Sequence, residues 1–166
     1  MALEEFNKTL KLNPKYYLAY YNAGVAYQLQ GDFEMAKQAY EESLKINPAY
    51  FRSWYNVGIV YKKLGELDMA VTSYDKAIAL DPRHSFVYNN LGVVLTEIGD
   101  YKRAEDVFER AVAINPGYEK AYYNLGNVYF RDKEYVKAAR AYRAAVRIRP
   151  DYTEANEMLI EALARI

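Results

Sequence analysis

The five prolines of the chain stand at Pro14, Pro48, Pro82, Pro116 and Pro150, each 34 residues after the last. Three more registers keep that spacing: Gly24, Gly58, Gly92 and Gly126; Ala36, Ala70, Ala104 and Ala138; and the rings Tyr40, Tyr74, Phe108 and Tyr142. A fixed period of this length marks a stack of copies of one supersecondary unit, no copy of which buries its apolar face alone. Each copy holds two apolar-periodic stretches of about 14 residues, such as Phe51 to Leu64 and Leu67 to Leu80, each about 21 Å long as a helix. Between them Gly31, Gly65 and Gly99 suit a left-handed turn, and Asp32, Glu66 and Asp100 suit a polar helix start. The prolines close each copy, because proline cannot continue a helix and drives the residue before it out of the α region. The fourth copy carries Lys133 in place of the glycine. A left-handed backbone there would cost about 1–2 kcal/mol, so a differently shaped turn is expected.

The second copy displays Trp54, Val57, Gly58, Tyr61, Ala70, Tyr74, Ala77 and Pro82. This set resembles the tetratricopeptide repeat, a helix–turn–helix that reads W-x₂-L-G-x₂-Y, then A-x₃-F, then P. The resemblance runs along essentially the whole chain. It implies an all-α fold, a right-handed superhelical solenoid of antiparallel helix pairs, acting as a protein-interaction scaffold. The chain reads as a single solenoid domain: an N-terminal half repeat over 1–16, full repeats over 17–50, 51–84, 85–118 and 119–152, and a C-terminal capping helix over 153–166. Positions are numbered within the full repeats from Tyr17, Phe51, Ser85 and Glu119.

On a helical wheel, first-helix positions 3, 4, 7, 8, 10 and 11 form the core arc, while positions 2, 5, 6, 9, 12 and 13 point the other way and would line a concave groove. Nine of the 19 tyrosines occupy core positions 4, 11 and 24, which makes them structural. Tyr21, Tyr55 and Tyr123 at position 5 lie opposite the core, have no evident packing role in their own repeat, and read as a contact surface. Position 6 is asparagine throughout, at Asn22, Asn56, Asn90 and Asn124. A row of amides can hydrogen-bond the N–H and C=O groups of an extended peptide whatever its sequence. It looks like the asparagine ladder in the repeats of O-linked N-acetylglucosamine transferases. The residues equally allow each amide simply to bond a neighbouring turn. Arg52, Lys62, Lys63, Lys120 and Arg131 outnumber Glu97 on this face, which favours acidic segments; a solvated face is the competing reading. Co-chaperone relatives grip a terminal carboxylate with Lys at position 5 and Asn at position 9. Here only Asn127, beside Tyr123, supplies half of that clamp.

Several classes are excluded or disfavoured. The chain has no cysteine and one histidine, His84, so it has no thiolate nucleophile, disulfide or Cys-based zinc site. With no phosphate loop or nucleophile elbow, no enzyme and no cofactor are expected. Lys and Arg total 22 against 22 for Asp and Glu, so nothing global favours nucleic acid. Lys137, Arg140, Arg143 and Arg147 do share one helix face, which reads as a nucleic-acid or acidic-partner patch or, since no aromatics interleave with the charges, as a solvated surface. Glu41 and Glu42 read as exposed polar residues with nothing to bury them, and Asn7-Lys8-Thr9 matches a glycosylation sequon in a predicted helix. No stretch is long and apolar enough for a membrane span and no signal peptide is seen, so a soluble, cytoplasmic protein is expected.

The partners expected are therefore proteins or peptide segments, not small molecules, nucleic acid or membrane. Two alternatives accompany the scaffold reading. One is a targeting module of a larger enzyme. The other is self-assembly, in which the terminal half repeats, with Phe6 at position 24 and Leu159 and Leu163 at positions 7 and 11, dock head to tail between molecules.

Overall fold

A computed structural model describes residues 16–166, and among them all regular structure is helical. The helices are α1 (Tyr17–Gln30), α2 (Phe33–Ile46), α3 (Phe51–Leu64), α4 (Leu67–Leu80), α5 (Ser85–Ile98), α6 (Tyr101–Ile114), α7 (Glu119–Arg131), α8 (Tyr135–Ile148) and α9 (Thr153–Ala164). The expected pairs over Phe51–Leu64 and Leu67–Leu80 are thus observed at those bounds. The expected N-terminal half repeat and the Asn7 sequon lie outside the described residues. The chain divides into two compact units between Pro82 and Arg83. In the first, the hairpins α1–α2 and α3–α4 stack through α2 and α3. In the second, α5–α6 and α7–α8 stack through α6 and α7, and α9 lies on α8.

Local chemistry explains the bounds. The turns within the first three hairpins have glycine in the left-handed region, with φ of 80° at Gly31, 78° at Gly65 and 84° at Gly99. Each closes its helix with two backbone bonds, for example Gly99 N–H to Thr96 O and Asp100 N–H to Leu95 O. Asp32 and Asp100 then cap the next helix, accepting from the Met35 and Arg103 amides at 3.2 and 3.3 Å. At the far ends Asn47, Asp81, Asn115 and Arg149 hold extended φ values of −133°, −147°, −129° and −129°, the conformation that the following proline imposes.

The fourth turn departs from expectation. Lys133 adopts φ 62°, and the bonds from Lys133 N–H to Phe130 O and from Glu134 N–H to Tyr129 O reproduce those of the glycine turns. The paired helices dictate the turn, and the lysine bears the strain.

Inside each hairpin the position 8 glycine receives the position 24 ring. A Cβ built on Gly24, Gly58, Gly92 or Gly126 would lie 2.6, 2.8, 2.6 or 2.5 Å from the ring of Tyr40, Tyr74, Phe108 or Tyr142, closer than real carbon atoms approach. All four rings are fully buried. Between hairpins the contacts are small: Ser43 and Ser53 share a buried hydrogen bond of 2.9 Å in the first unit, and alanines stand at the same register in the second, Ala111 with Ala121 and Ala145 with Ala155. On α9, Ala155 and Ala162 are buried and Leu159 is half-buried, whereas Leu163, expected in the core, is 46% exposed. Among the described residues no second helix lies over that side. Ile160, at position 8, is 62% exposed.

Candidate functional site

The outward positions of the first helices carry the candidate residues, and each unit arranges its own set. In the first unit Tyr21 is half-buried between two rings, tilted on Tyr40 at 5.9 Å and edge-on to Tyr50 at 5.2 Å. Its hydroxyl accepts a hydrogen bond of 3.3 Å from the Asn56 amide, one repeat further along. In the second unit Tyr123 lies between Tyr142 at 6.0 Å and Tyr152 at 5.1 Å. There Asn124 donates to Asn89 Oδ1 at 2.9 Å, which again joins position 6 to position 5 of the preceding repeat.

These contacts correct one expectation. Tyr21 and Tyr123 pack against the position 24 ring of their own repeat and against the tyrosine that follows the closing proline, and Tyr55 packs on Tyr74 at 6.3 Å. The helical wheel places position 5 away from the core, but the linker tyrosine returns to cover it. Glu41 is a second correction: half-buried, it accepts from the Tyr61 hydroxyl at 2.7 Å, and Glu109 accepts from Tyr129 at the same distance. Position 25 therefore ties each of these second helices to position 11 of the next hairpin, at a sequence separation of 20. A recurring Glu–Tyr spacing of that length was the signal available in the sequence.

The remaining candidates fall as follows. Asn22 is exposed, while Asn56, Asn90 and Asn124 are half-buried. Arg52 and Lys120 are exposed and Lys62 is half-buried. Asn127 is engaged from within, since its Oδ1 accepts from the Tyr142 hydroxyl at 2.9 Å, just as Gln28 accepts from Tyr40 in the first repeat. Arg131 is held aside, its guanidinium 3.2 Å above the Tyr101 ring and 2.7 Å from Asp132.

The electrostatics keep these phenols neutral. Burial pushes the Tyr40 and Tyr142 hydroxyls above the usual tyrosine range. Burial, reinforced by the bonded carboxylates of Glu41 and Glu109, does the same for Tyr61 and Tyr129. They act as donors across the whole ordinary pH range. Among the described residues no group of three or more His, Asp or Glu converges as metal ligands, and no helix is long and apolar enough to cross a membrane.

A second recurring feature is a cleft where a first helix meets second-helix side chains. One cleft of about 340 Å³ has Trp54, Val57 and Tyr61 as its floor, with Leu44 and Met69 among its walls. Another, of about 260 Å³, has Tyr122, Leu125 and Tyr129 beside Lys137, Arg140 and Ala141.

Stacked helical hairpins with periodic polar faces define a helical-repeat protein of the interaction type. The chain belongs to the tetratricopeptide repeat family, whose models match residues 17–50, 50–116 and 97–153. It is similar to a crystal structure of the MamA protein, at 31% identity over 90% of this chain and 81% of that one, with a TM-score of 0.86. A MamA structure from Desulfovibrio magneticus RS-1 is 30% identical, with coverages of 90% and 84% and a TM-score of 0.83. The structure of YrrB, described as a tetratricopeptide protein with an unusual peptide-binding site, is 26% identical, with coverages of 92% and 78% and a TM-score of 0.82. No curated protein sequence matches the chain.

Proposed function

We propose that the chain is a protein-interaction scaffold whose first helices hold an extended peptide segment of a partner, with asparagines Asn22, Asn56, Asn90 and Asn124 bonding the peptide backbone and Tyr21, Tyr55 and Tyr123 offering ring edges to side chains. The carrying observation is the pair of cross-repeat bonds at Asn56 and Asn124. Each spends one of the amide's hydrogen-bonding capacities on orientation, so the amide is set before a ligand arrives and loses less freedom on binding. The ring stacks serve the same end, because Tyr21 can position Asn56 only while Tyr40 and Tyr50 hold it. Arg52, Lys62 and Lys120 favour acidic residues in the segment, and Asn127 acts by fixing Tyr142 beneath Tyr123. A structural relative, YrrB, is described as having a peptide-binding site, which supports the peptide reading. No catalytic step is assigned to the chain.

The test uses a peptide selected from a displayed random library against the intact chain. Replacing Asn56 and Asn90 together with alanine is expected to weaken its binding by about tenfold or more, the loss of one to two backbone bonds. An unchanged dissociation constant would overturn the ladder.

A further inference from the structure

The outer face of α8 differs from those of the other second helices. On α2, Lys37 pairs with Glu34 and Glu66, and Lys45 pairs with Glu42; on α6, Lys102 pairs with Glu105 and Asp106. The outer face of α4 mixes Asp68, Asp75 and Lys76. By contrast, Tyr135–Ile148 contains no acidic residue at all. Lys137 is neutralised by Glu134, just before the helix. Arg140, Arg143 and Arg147 are exposed, lie within one face at i, i+3 and i+7, and make no ion pair or hydrogen bond among the described residues. Like charges at these spacings repel and weaken a helix, and the chain as a whole carries equal numbers of each sign. Local segregation of cations therefore has an energetic cost that a partner anion would relieve.

A second observation lies beside this stripe. Arg140 and Lys137 rim the cleft floored by Tyr122, Leu125 and Tyr129. The cleft of the second repeat has Met69 and Thr72 at those two positions, and that of the first has Met35 and Gln38, so the pair of cations distinguishes the fourth repeat from these two. An apolar pocket next to a row of guanidinium groups fits a chain that offers carboxylates and an apolar side chain together.

We propose that the outer face of α8 and the adjoining cleft form a second docking surface, for an acidic polypeptide segment that lays carboxylates along Arg140, Arg143 and Arg147 and inserts one apolar side chain against Tyr122 and Tyr129. Arginine suits this task because its planar fork binds carboxylate through two parallel donors. The surface is separate from the asparagine-lined faces and does not rest on the reading given to them. A protein segment is favoured over a polynucleotide, because the chain carries no net positive charge and no exposed aromatic ring stands between the arginines for a base to stack on.

The experiment measures fluorescence anisotropy of a short labelled peptide of glutamates and aspartates around one central leucine, added to the intact chain at several salt concentrations. Combined substitution of Arg140→Ser, Arg143→Ser and Arg147→Ser is expected to weaken binding by about tenfold, the sum of three exposed charge pairs. Exchange of the probe's leucine for serine is expected to weaken it by about threefold. The pair Lys76→Ser and Arg110→Ser, exposed cations on neither proposed surface, is expected to leave it within about twofold. Because the three arginines are exposed and unpaired, circular dichroism of the triple variant should match the parent. The proposal is overturned if the acidic probe does not bind, if the triple variant binds it as the parent does, if the leucine has no effect, if the Lys76 and Arg110 pair loses as much as the triple variant, or if a single-stranded oligothymidine binds more tightly than the peptide.

Discussion

At the scale of single residues, the fourth turn shows how a local preference yields to its surroundings. Lys133 holds φ 62° and the same closing bonds as three glycines, so Lys133→Gly is expected to stabilise the chain by about 0.5–1 kcal/mol, relief of left-handed strain less the added freedom of the unfolded chain. Thermal or urea unfolding checks it. The reverse holds at Gly126, where an added Cβ would lie 2.5 Å from the Tyr142 ring. That ring cannot step aside, because Tyr123 rests on it and Asn127 holds its hydroxyl. Gly126→Ala is therefore expected to cost about 1–3 kcal/mol through overpacking, read from the same unfolding curves. The register of glycines and rings was legible from the sequence; their face-to-face contact follows from it because both belong to one hairpin.

At the scale of elements, the interfaces between hairpins are built from small side chains and a few hydrogen bonds. Ser43 on α2 and Ser53 on α3 are buried and bonded to each other, in a register that the second unit fills with alanines. Removing one hydroxyl strands the other, so Ser43→Ala is expected to destabilise by about 1–3 kcal/mol, while Ser43→Ala with Ser53→Ala costs clearly less than the single change. A double-mutant cycle on unfolding free energy checks this; a double variant as unstable as the sum of its parts would contradict it. The Glu41–Tyr61 and Glu109–Tyr129 bonds play a comparable part, joining α2 to α3 and α6 to α7. A helical wheel leaves Glu41 as a solvated acid, because it describes one helix and not the neighbour that covers it.

At the scale of the whole molecule, the buried tyrosines link stability to pH. Tyr40, Tyr61, Tyr129 and Tyr142 all have folded-state pKa values raised above that of a free tyrosine. The folded chain thus holds these protons more tightly than the unfolded chain. Their contribution is complete below about pH 10, the unfolded value, and is lost as the pH climbs beyond it toward the folded values. Melting temperature is expected to fall steeply above about pH 10, and a Tyr61→Phe, Tyr129→Phe variant is expected to fall less steeply over the same interval. Equal slopes would show that these phenols do not govern the alkaline limit.

The sequence by itself determined the helix bounds, the turn and cap chemistry, the pairing of glycine with ring and the repeat family, because each depends on residues within one hairpin and on a periodicity that recurs down the chain. Tertiary structure alone decided what lies between hairpins. Tyr21 and Tyr123 became packed supports, Asn56 and Asn124 were joined to residues 35 positions earlier, and Glu41 was drawn beneath a phenol. The physical reason is one of range: backbone preference and capping act over a few residues, whereas a side chain's partners across a helix interface depend on how two helices approach, which the pattern along either helix does not record.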